Sequence, residues 1–265
     1  MTVQSQRQTA LVTGASGGIG EALAQRFARG GYDLVLVART EAKLQALGKE
    51  LTTKFGVRAH ALPYDLADPA SPPLLVEKLA AQGVAIDILV NNAGFATYGP
   101  FAENDLDGEL RLLQVNIVTL THLTRLLLPG MLTRRRGRIL NVASTAAFMP
   151  GPLMAVYYAS KAYVLSFSEA LNNELQGSGV NVTALCPGPT STGFQARAQM
   201  EQSRLVRDRK IMDVETVADA GYSGLLRGQA VIIPGLMNRI QAAIPRLLPR
   251  SVVPQMVRNA QDRAH

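Results

Sequence analysis

Short apolar, β-branched runs alternate with longer amphipathic stretches along the 265-residue chain. Several runs, including LVLVA at Leu34–Ala38, are apolar almost without interruption, which is typical of parallel strands covered on both faces. Because the alternation continues along the chain, it predicts a doubly wound α/β fold with a mostly parallel seven-stranded sheet and helices on both faces. The predicted strands are Thr9–Thr13, Leu34–Ala38, Arg58–Leu62, Ile86–Val90, Arg138–Val142, Val180–Leu185 and Ala230–Ile233.

The amphipathic stretches predict helices between these strands. In Ile19–Arg29 apolar side chains recur every four residues, and two glycines follow as a stop signal. Longer helices are predicted at Leu110–Leu132 and Ala155–Gln176. No internal repeat or linker divides the chain, so we expect residues 1–265 to form one domain, with a basic, Pro-containing C-terminal extension from about residue 236.

Composition narrows the class of protein. Apolar residues make up 47% of the chain and charged residues 18%, which is typical of a globular protein. The single cysteine, Cys186, indicates a reducing compartment, so we expect a cytoplasmic location, and one cysteine with three scattered histidines supplies no metal cluster. The amino terminus has no secretory apolar core, and no run reaches the roughly 18 uninterrupted apolar residues of a membrane span.

Glycines and polar residues follow the predicted strands at their carboxyl ends. In open α/β sheets ligands bind at this edge, where the strand order reverses. Six consecutive strands therefore bring glycines and polar residues, which are unusual in a core, to the carboxyl edge of the sheet. In chain order these are Thr13-Gly14, Arg39, Asp65, Asn91-Asn92-Ala93-Gly94, Ser144 and Pro187-Gly188.

The loop after the first strand has the glycine spacing G-x-x-x-G-x-G and opens a helix. Glycines let a backbone turn tightly and approach a pyrophosphate, and a helix N-terminus offers free N–H groups and a positive dipole end. A tight turn alone would also select glycine, but the strand before the loop and the helix after it favour dinucleotide binding. The candidate cofactor-binding residues here are Gly14, Ser16, Gly17, Gly18, Ile19 and Gly20.

The end of the second strand indicates which dinucleotide binds. NAD-binding proteins place a carboxylate there for the ribose hydroxyls, whereas this strand ends in Ala38 followed by Arg39. The nearest acid, Asp33, lies at the start of the strand, about 16 Å away at about 3.3 Å per residue. A guanidinium at Arg39 matches a 2′-phosphate in charge and fork geometry. We therefore expect NADP(H) rather than NAD; the alternative is a solvated arginine at a strand exit.

Tyr157 and Lys161 lie four residues apart, on one face of the predicted helix Ala155–Gln176. A free tyrosine has a pKa near ~10 and exchanges protons poorly at neutral pH. A neighbouring cation stabilises the phenolate and lowers this pKa, which suits an acid/base. Taken alone, such a pair is usually a helix-surface contact. Ser144 after the fifth strand and Asn116 in the preceding long helix are further candidates.

Together these motifs resemble the short-chain dehydrogenase/reductase family. TGASGGIG, NNAG, Asn116, Ser144, the run YYASK at 157–161 and PGPTST occur in that family's order and spacing from residue 9 to about 233. The resemblance implies a Rossmann-like fold with a nicotinamide cofactor. It also implies a homodimer or homotetramer formed through the helices that contain Asn116 and Tyr157.

The resemblance implies roles for the matching residues. Tyr157 would be the general acid/base, and Lys161 would lower its pKa and hold the nicotinamide ribose hydroxyls. Ser144 would polarise the carbonyl, and Asn116 would keep a proton-relay water in place. The other cofactor contacts would be Asp65 and Leu66 at the adenine, Asn92, Ala93 and Gly94 along the cleft, and Pro187, Gly188 and Thr192 at the nicotinamide end.

Simpler interpretations of these residues stay open. Ser144 could cap a strand or helix end, Asn116 could be a satisfied polar group in a helix, and Asp65 could start a turn.

Three segments would overhang the reaction centre: residues 95–101, residues 145–154 and Phe194. They are apolar without a basic or acidic anchor, which favours an uncharged, hydrophobic carbonyl substrate; packing of a lid onto the core is the alternative. We therefore interpret the chain as an NADP(H)-dependent carbonyl reductase. The alternatives are a 3-oxoacyl-thioester reductase of lipid metabolism and, in another class, an NADP-sensing or scaffold protein without turnover.

The chain is basic, with a net charge of +7, of which +4 lies in residues 235–265. There arginines lie between apolar pairs, and three prolines exclude one long helix. Such pieces can lie peripherally on an anionic membrane surface, or they can cover a neighbouring subunit or the substrate cleft. Nucleic-acid binding is not expected, because no aromatic residues are interleaved with the arginines.

Overall fold

The computed structural model describes residues 7–192 and 211–261. Its strands are β1 Thr9–Thr13, β2 Asp33–Ala38, β3 Ala59–Pro63, β4 Ile88–Asn91, β5 Gly137–Val142, β6 Val180–Leu185 and β7 Val231–Ile232. They form one sheet in the order β3-β2-β1-β4-β5-β6-β7, and every neighbouring pair is parallel. The predicted doubly wound α/β fold is confirmed.

The strand bounds differ from the predicted ones by at most two residues. The largest difference is at β4, which begins at Ile88 instead of Ile86. Pairing with a neighbour sets a strand end, and β1 pairs with β4 from Ala10↔Ile88 onward. Hydrophobicity does not mark that point, because Ile86 is also buried.

The helices connect the strands and lie on both faces of the sheet. Those described are α1 Gly18–Arg29, α2 Glu41–Phe55, α3 Ser71–Ala81, α4 Leu106–Leu113, α5 Leu120–Thr133, α6 Ala155–Glu174, α7 Val214–Leu226, α8 Leu236–Ala243 and α9 Val253–Gln261.

The predicted helix Leu110–Leu132 is longer and less regular than expected. It begins at Leu106, because the Asp105 side chain caps it by accepting a hydrogen bond of 2.9 Å from a backbone N–H of the first turn. Between α4 and α5 the chain forms a π-helical segment, Gln114–Thr119, which contains Asn116. Such segments are rare and occur frequently at functional sites.

The helical run Leu106–Thr133 is also apolar, with a mean hydropathy of 1.2 over an 18-residue window of which 44% is buried. Among the described helices it alone is long and apolar enough to cross a membrane by length and composition. Core helices pass the same test, and Leu112, Leu123 and Leu128 of this run are buried within the fold.

The sheet separates two apolar layers. Along β2, Leu34 and Leu36 face a layer formed with α1, α2 and α7, whereas Val35 and Val37 face a layer formed with α3 and α5. This alternation is that of a strand covered on both faces. A further apolar cluster lies beyond the carboxyl ends of β4 and β5 and is called the rim cluster below. Its buried members are Ala96, Leu112, Ala146, Met154, Tyr157, Tyr158, Val253 and Val257.

Candidate active site

The glycine-rich loop after β1 combines a tight turn with an open face. Gly14 has a φ of +67°, and a Cβ atom on Gly20 would lie 2.3 Å from the Gly14 carbonyl oxygen. A Cβ atom on Gly17, in contrast, would meet no heavy atom within 4 Å. Ser16 and Ile19 are half-buried in the same loop. The loop is therefore closed towards the protein and open at the start of α1, where free N–H groups favour a phosphate.

Side-chain hydrogen bonds join this loop to the end of β4. The Asn92 side chain donates to the carbonyl oxygens of Thr13 (2.9 Å) and Gly14 (3.3 Å). In return the Thr13 hydroxyl accepts from the backbone N–H groups of Asn92 (2.9 Å) and Ala93 (3.0 Å). Asn92 and Ala93, predicted as cofactor contacts, thus also hold the turn in place.

Arg39 and Asp65 lie near each other at the carboxyl ends of β2 and β3. Asp65 accepts hydrogen bonds from the Ala67 N–H (3.1 Å) and from Arg111 (2.9 Å). The bond from Ala67, two residues later, is that of a turn residue, whereas the bond from Arg111 joins Asp65 to α4. Burial raises the pKa of Asp65, whereas these two donors and the charge of Arg39 lower it. The lowering effects together are larger, so the pKa of Asp65 lies below its ordinary value. Arg39 is exposed, whereas Asp33 begins β2 at the opposite edge of the sheet.

Ser144 follows β5 and contacts three different groups. Its hydroxyl accepts a hydrogen bond from the Ala146 N–H (3.1 Å), which caps a 3₁₀ turn, and donates to the Pro187 carbonyl oxygen (3.4 Å). It also forms a hydrogen bond with Tyr157. Ser144 therefore caps the 3₁₀ turn, as one interpretation expected, and also contacts the Tyr157 hydroxyl.

Lys161 extends from α6 into the protein beside Tyr157. Its ammonium nitrogen lies 5.8 Å from the Tyr157 ring centroid and donates a 2.8 Å hydrogen bond to the Val142 carbonyl oxygen at the end of β5. A Cβ atom on Gly94 would be 3.5 Å from this nitrogen, so glycine keeps the space beside the ammonium free. The predicted Tyr157–Lys161 pair is brought together as the four-residue spacing indicates.

The electrostatics of this pair differ from the expectation. Burial raises the pKa of Tyr157, and the hydrogen bond with Ser144 opposes the rise only in part. Burial also lowers the pKa of Lys161, to about 8. The pKa of Tyr157 is therefore raised, and the expected lowering by Lys161 is not observed. The reason is that burial disfavours the charged forms of both groups, the phenolate and the ammonium.

Asn116 lies in the π-helical segment and is a fully satisfied polar group. Its amide donates to the Phe95 carbonyl oxygen (3.1 Å) and to the Ser160 hydroxyl (3.0 Å), and its side-chain oxygen accepts from the Phe95 N–H (3.2 Å). In the same segment the Thr119 hydroxyl donates to the Leu66 carbonyl oxygen (2.7 Å). Asn116 and Thr119 thus join α6 and the loop after β3 to the edge of the sheet.

The loop after β6 completes this edge. Its Pro187 carbonyl contacts Ser144 as described, and a Cβ atom on Gly188 would lie 2.5 Å from the Asn238 side chain of α8. Thr192 approaches the glycine-rich loop, since a Cβ atom on Gly18 would lie 3.1 Å from its methyl carbon.

The predicted substrate segments are divided between the core and the surface. Met154, and in part Met149 and Tyr98, pack in or against the rim cluster, as the lid interpretation expects. Phe101 is 63% exposed. Phe194 and residues 193–210 lie outside the described residues.

The C-terminal helix α9 contributes to the site, which the sequence did not reveal. Val253 and Val257 pack into the rim cluster beside Tyr157. Gln261 is buried, with its backbone oxygen accepting from the Tyr98 hydroxyl (2.8 Å) and its side chain donating to the Tyr158 hydroxyl. Of the positions left open for the basic tail, α9 occupies the one over the cleft. The local signal for it is the four-residue spacing of Val253 and Val257, which places both on one helical face.

The residues at this edge fit a nicotinamide dinucleotide. The open backbone at Gly17 and the α1 N-terminus suit a pyrophosphate, and the exposed guanidinium of Arg39 lies where the adenosine ribose would be. The enclosed ammonium of Lys161 has three donors, one of which binds Val142, so it can also hold hydroxyl groups.

Comparison with known proteins agrees with this arrangement. The sequence model of the short chain dehydrogenase family matches residues 8–203. A solved short-chain dehydrogenase from Sphingobium yanoikuyae, in complex with NADPH, is 38% identical, with a TM-score of 0.81 over 91% of this chain and 94% of that one. The bulky-bulky ketone specific alcohol dehydrogenase from Comamonas testosteroni is 32% identical, with a TM-score of 0.77 over 92% and 94%.

The chain is also similar to a curated fungal protein. The very-long-chain 3-oxoacyl-CoA reductase of Phaeosphaeria nodorum is 35% identical over 219 residues, which cover 81% of this chain. The match spans 64% of the fungal protein, less than two thirds of its length. From the family match and the fold, the chain belongs to the short-chain dehydrogenase family, and the resemblance predicted from its motifs is confirmed.

The two kinds of glycine in the loop can be separated by substitution. Gly20→Ala should lower the free energy of unfolding by about 1–3 kcal/mol, because its Cβ atom meets a backbone oxygen that cannot move away. Gly17→Ala, its matched control, should change it by no more than about 0.5 kcal/mol. Chemical denaturation measures both, and equal stability of the two variants would contradict the packing described here.

Proposed function

We propose that the protein catalyses NADP(H)-dependent hydride transfer to or from the carbonyl or alcohol group of a hydrophobic small molecule. The observation that carries this proposal is the hydrogen bond between Ser144 and Tyr157, with the Lys161 ammonium one helical turn away. A protein that only sensed NADP would need the glycine-rich loop and Arg39 but none of these three side chains. Their convergence on one enclosed site therefore favours an enzyme.

Each of these residues has a distinct part in the proposed reaction. When bound, the nicotinamide cofactor supplies or accepts the hydride. Tyr157 donates its phenolic proton to the carbonyl oxygen during reduction and removes the alcohol proton in the reverse direction. Ser144 donates a hydrogen bond that polarises the carbonyl, and Lys161 binds ribose hydroxyls and stabilises negative charge on Tyr157.

Asn116 has a positioning role in this proposal. Its three hydrogen bonds to Phe95 and Ser160 hold the loop after β4 against α6. A water beside Asn116 would carry protons from Lys161 to solvent. Gly94 would border that water, since a Cβ atom at this position would lie 2.9 Å from the Asn116 side-chain oxygen and 3.5 Å from the Lys161 ammonium.

A hydrophobic substrate is supported by the surroundings of Tyr157. The rim cluster and the exposed ring of Phe101 offer apolar surface, and the described part of the segments 95–101 and 145–154 contains no charged side chain. A second candidate is reduction of a 3-oxoacyl thioester, which the name of the fungal relative favours.

NADPH consumption over a panel of ketones, aldehydes and acyl thioesters tests both candidates. We expect turnover of bulky apolar ketones. Faster turnover of 3-oxoacyl thioesters than of free ketones would select the second candidate, and no turnover with any carbonyl would support the sensor alternative and contradict an enzyme.

We also propose a homodimer or homotetramer through the helices that contain Asn116 and Tyr157. Leu110 and Val118 on the first helical run and Tyr163 on α6 are exposed apolar side chains. The Thr121 and Tyr163 hydroxyls lie 2.9 Å apart and join the two helices into one surface. Burial of this surface against a second copy would stabilise both helices.

Tyr157→Phe should reduce kcat by about 10²–10⁴-fold and leave NADPH affinity within a few-fold, because it removes only the proton donor. Tyr222→Phe on α7, where the ring packs against Phe27 of α1, is the matched control and should keep full activity. Steady-state kinetics and cofactor fluorescence measure the two effects. Near-normal turnover of Tyr157→Phe would refute the assignment of this residue.

Arg39→Asp should reverse the cofactor preference from NADPH to NADH, because a carboxylate repels a 2′-phosphate and binds ribose hydroxyls. Arg227→Asp makes the same charge change at the exposed end of α7 and should leave the preference unaltered. Titration with each cofactor measures the dissociation constants. Equal affinity of the unmodified protein for NADPH and NADH would remove the basis of the NADP assignment.

The pKa of Lys161 predicts an alkaline limit for reduction. Because burial lowers this pKa to about 8, the ammonium is charged below that pH and loses its proton above it. The raised pKa of Tyr157 keeps the phenol protonated through the same range. We expect kcat/KM, which reports ionisation of the free enzyme, to fall as the pH rises through about 8. A value that stays constant up to pH ~10 would show that the charge of Lys161 is not required.

A further inference from the structure

Helix α8, which follows β7, lies on the surface of the protein with most of its apolar side chains exposed. Of its eight residues only Ala242 is buried. Leu236 and Met237 are 73% and 64% exposed, and Leu247 in the turn that follows is 85% exposed. With Ile240 and Ile244, these side chains form what we call the C-terminal apolar patch.

This concentration of apolar surface is unusual within the protein. Seven of the fourteen exposed large hydrophobic side chains among the described residues lie between positions 236 and 256. A contiguous exposed apolar surface with polar residues around it marks a site of interaction.

The charged side chains within the described segment 236–261 have a single sign. Arg239, Arg246 and Arg250 are exposed and alternate with the apolar residues, and the sequence from 236 to 261 contains no aspartate or glutamate. Arg239 and Arg246 are oriented by contacts with the fold: Arg239 donates to the Ile233 carbonyl oxygen (3.0 Å), and the Arg246 guanidinium lies 5.8 Å from the Phe148 ring centroid. Two of the three arginines are therefore held against the fold beside the patch.

We propose that the C-terminal apolar patch docks on the surface of an anionic lipid bilayer. A short helix with apolar side chains and arginines side by side lies in the plane of a membrane interface, where both kinds of side chain find a partner. A second copy of the chain fits the patch poorly. In a closed dimer through this surface, the three arginines of one copy would face those of the other, and the described segment 236–261 supplies no acid to pair with them.

The inner side of α8 and the turn Ile244–Arg246 that follows it contact the edge of the candidate active site. Asn238 packs against Gly188, and Arg246 lies over Phe148 in the 3₁₀ turn that Ser144 caps. Docking would therefore bring the site close to the bilayer and expose it to membrane-dissolved substrates. This consequence rests on the proposed function, whereas the docking itself does not.

Flotation of the full chain with lipid vesicles tests the proposal. The protein should float with vesicles of phosphatidylcholine and phosphatidylglycerol, should stay at the bottom with phosphatidylcholine alone, and should dissociate as the ionic strength rises. Arg239→Gln combined with Arg250→Gln should weaken binding about 25-fold, since each basic residue near an anionic surface contributes a factor of about five. Leu236→Ser combined with Leu247→Ser should abolish it.

Matched controls keep the test specific. Leu74→Ser on α3, where the leucine is 50% exposed, and Arg227→Gln on α7 should bind vesicles as the unmodified chain does. Thermal unfolding verifies that each variant is folded. Equal flotation of the patch variants and the controls would overturn the proposal.

Two other outcomes would also overturn it. One is failure of the unmodified chain to float with anionic vesicles. The other is a patch that forms an interface between copies, which sedimentation velocity would reveal as an oligomer that dissociates in the Leu236→Ser, Leu247→Ser variant. Because flotation does not depend on turnover, a chain that binds vesicles but reduces no carbonyl would support the docking and contradict the proposed function.

Discussion

An ammonium and a phenol enclosed one helical turn apart on α6 are the constraint on which the candidate site depends. Lys161 is 5% exposed, and its ammonium is held by the Val142 carbonyl oxygen at the end of β5. Tyr157 is 9% exposed and is held by Ser144 and the rim cluster. Burial penalises the charged form of both groups, so the phenol keeps its proton and the ammonium holds its own weakly. That is the state from which a phenol can donate a proton.

The parallel sheet explains why residues far apart in the chain meet around this pair. The crossover in the strand order places β1 next to β4, so the glycine-rich loop and the Asn92 loop share an edge, and the Thr13 hydroxyl joins them. β5 and β6 follow, bringing Ser144 and Pro187 to the same side. The fold thus determines the distances between side chains, and the loops determine their chemistry.

Local patterns in the sequence predicted the fold and the pairing of Tyr157 with Lys161, and the resemblance to the short-chain dehydrogenase/reductase family supplied other candidate site residues. Apolar runs identified the strands because both faces of this sheet are covered, and the four-residue spacing of Tyr157 and Lys161 is a property of any helix. Features that depend on contacts between distant segments could not be predicted. The packing of α9 over the cleft rests on Gln261, which bonds to Tyr98, 163 positions earlier. The effect of burial on the pKa of Tyr157 likewise needs the surroundings of the phenol.

A crystal structure of the protein with NADPH bound would show whether the Tyr157–Lys161 pair faces the cofactor. We expect the Lys161 ammonium within hydrogen-bond distance of the nicotinamide ribose hydroxyls, with the Tyr157 hydroxyl beside the nicotinamide ring. A complex in which these two groups face away from the cofactor, or point into separate cavities, would contradict this expectation.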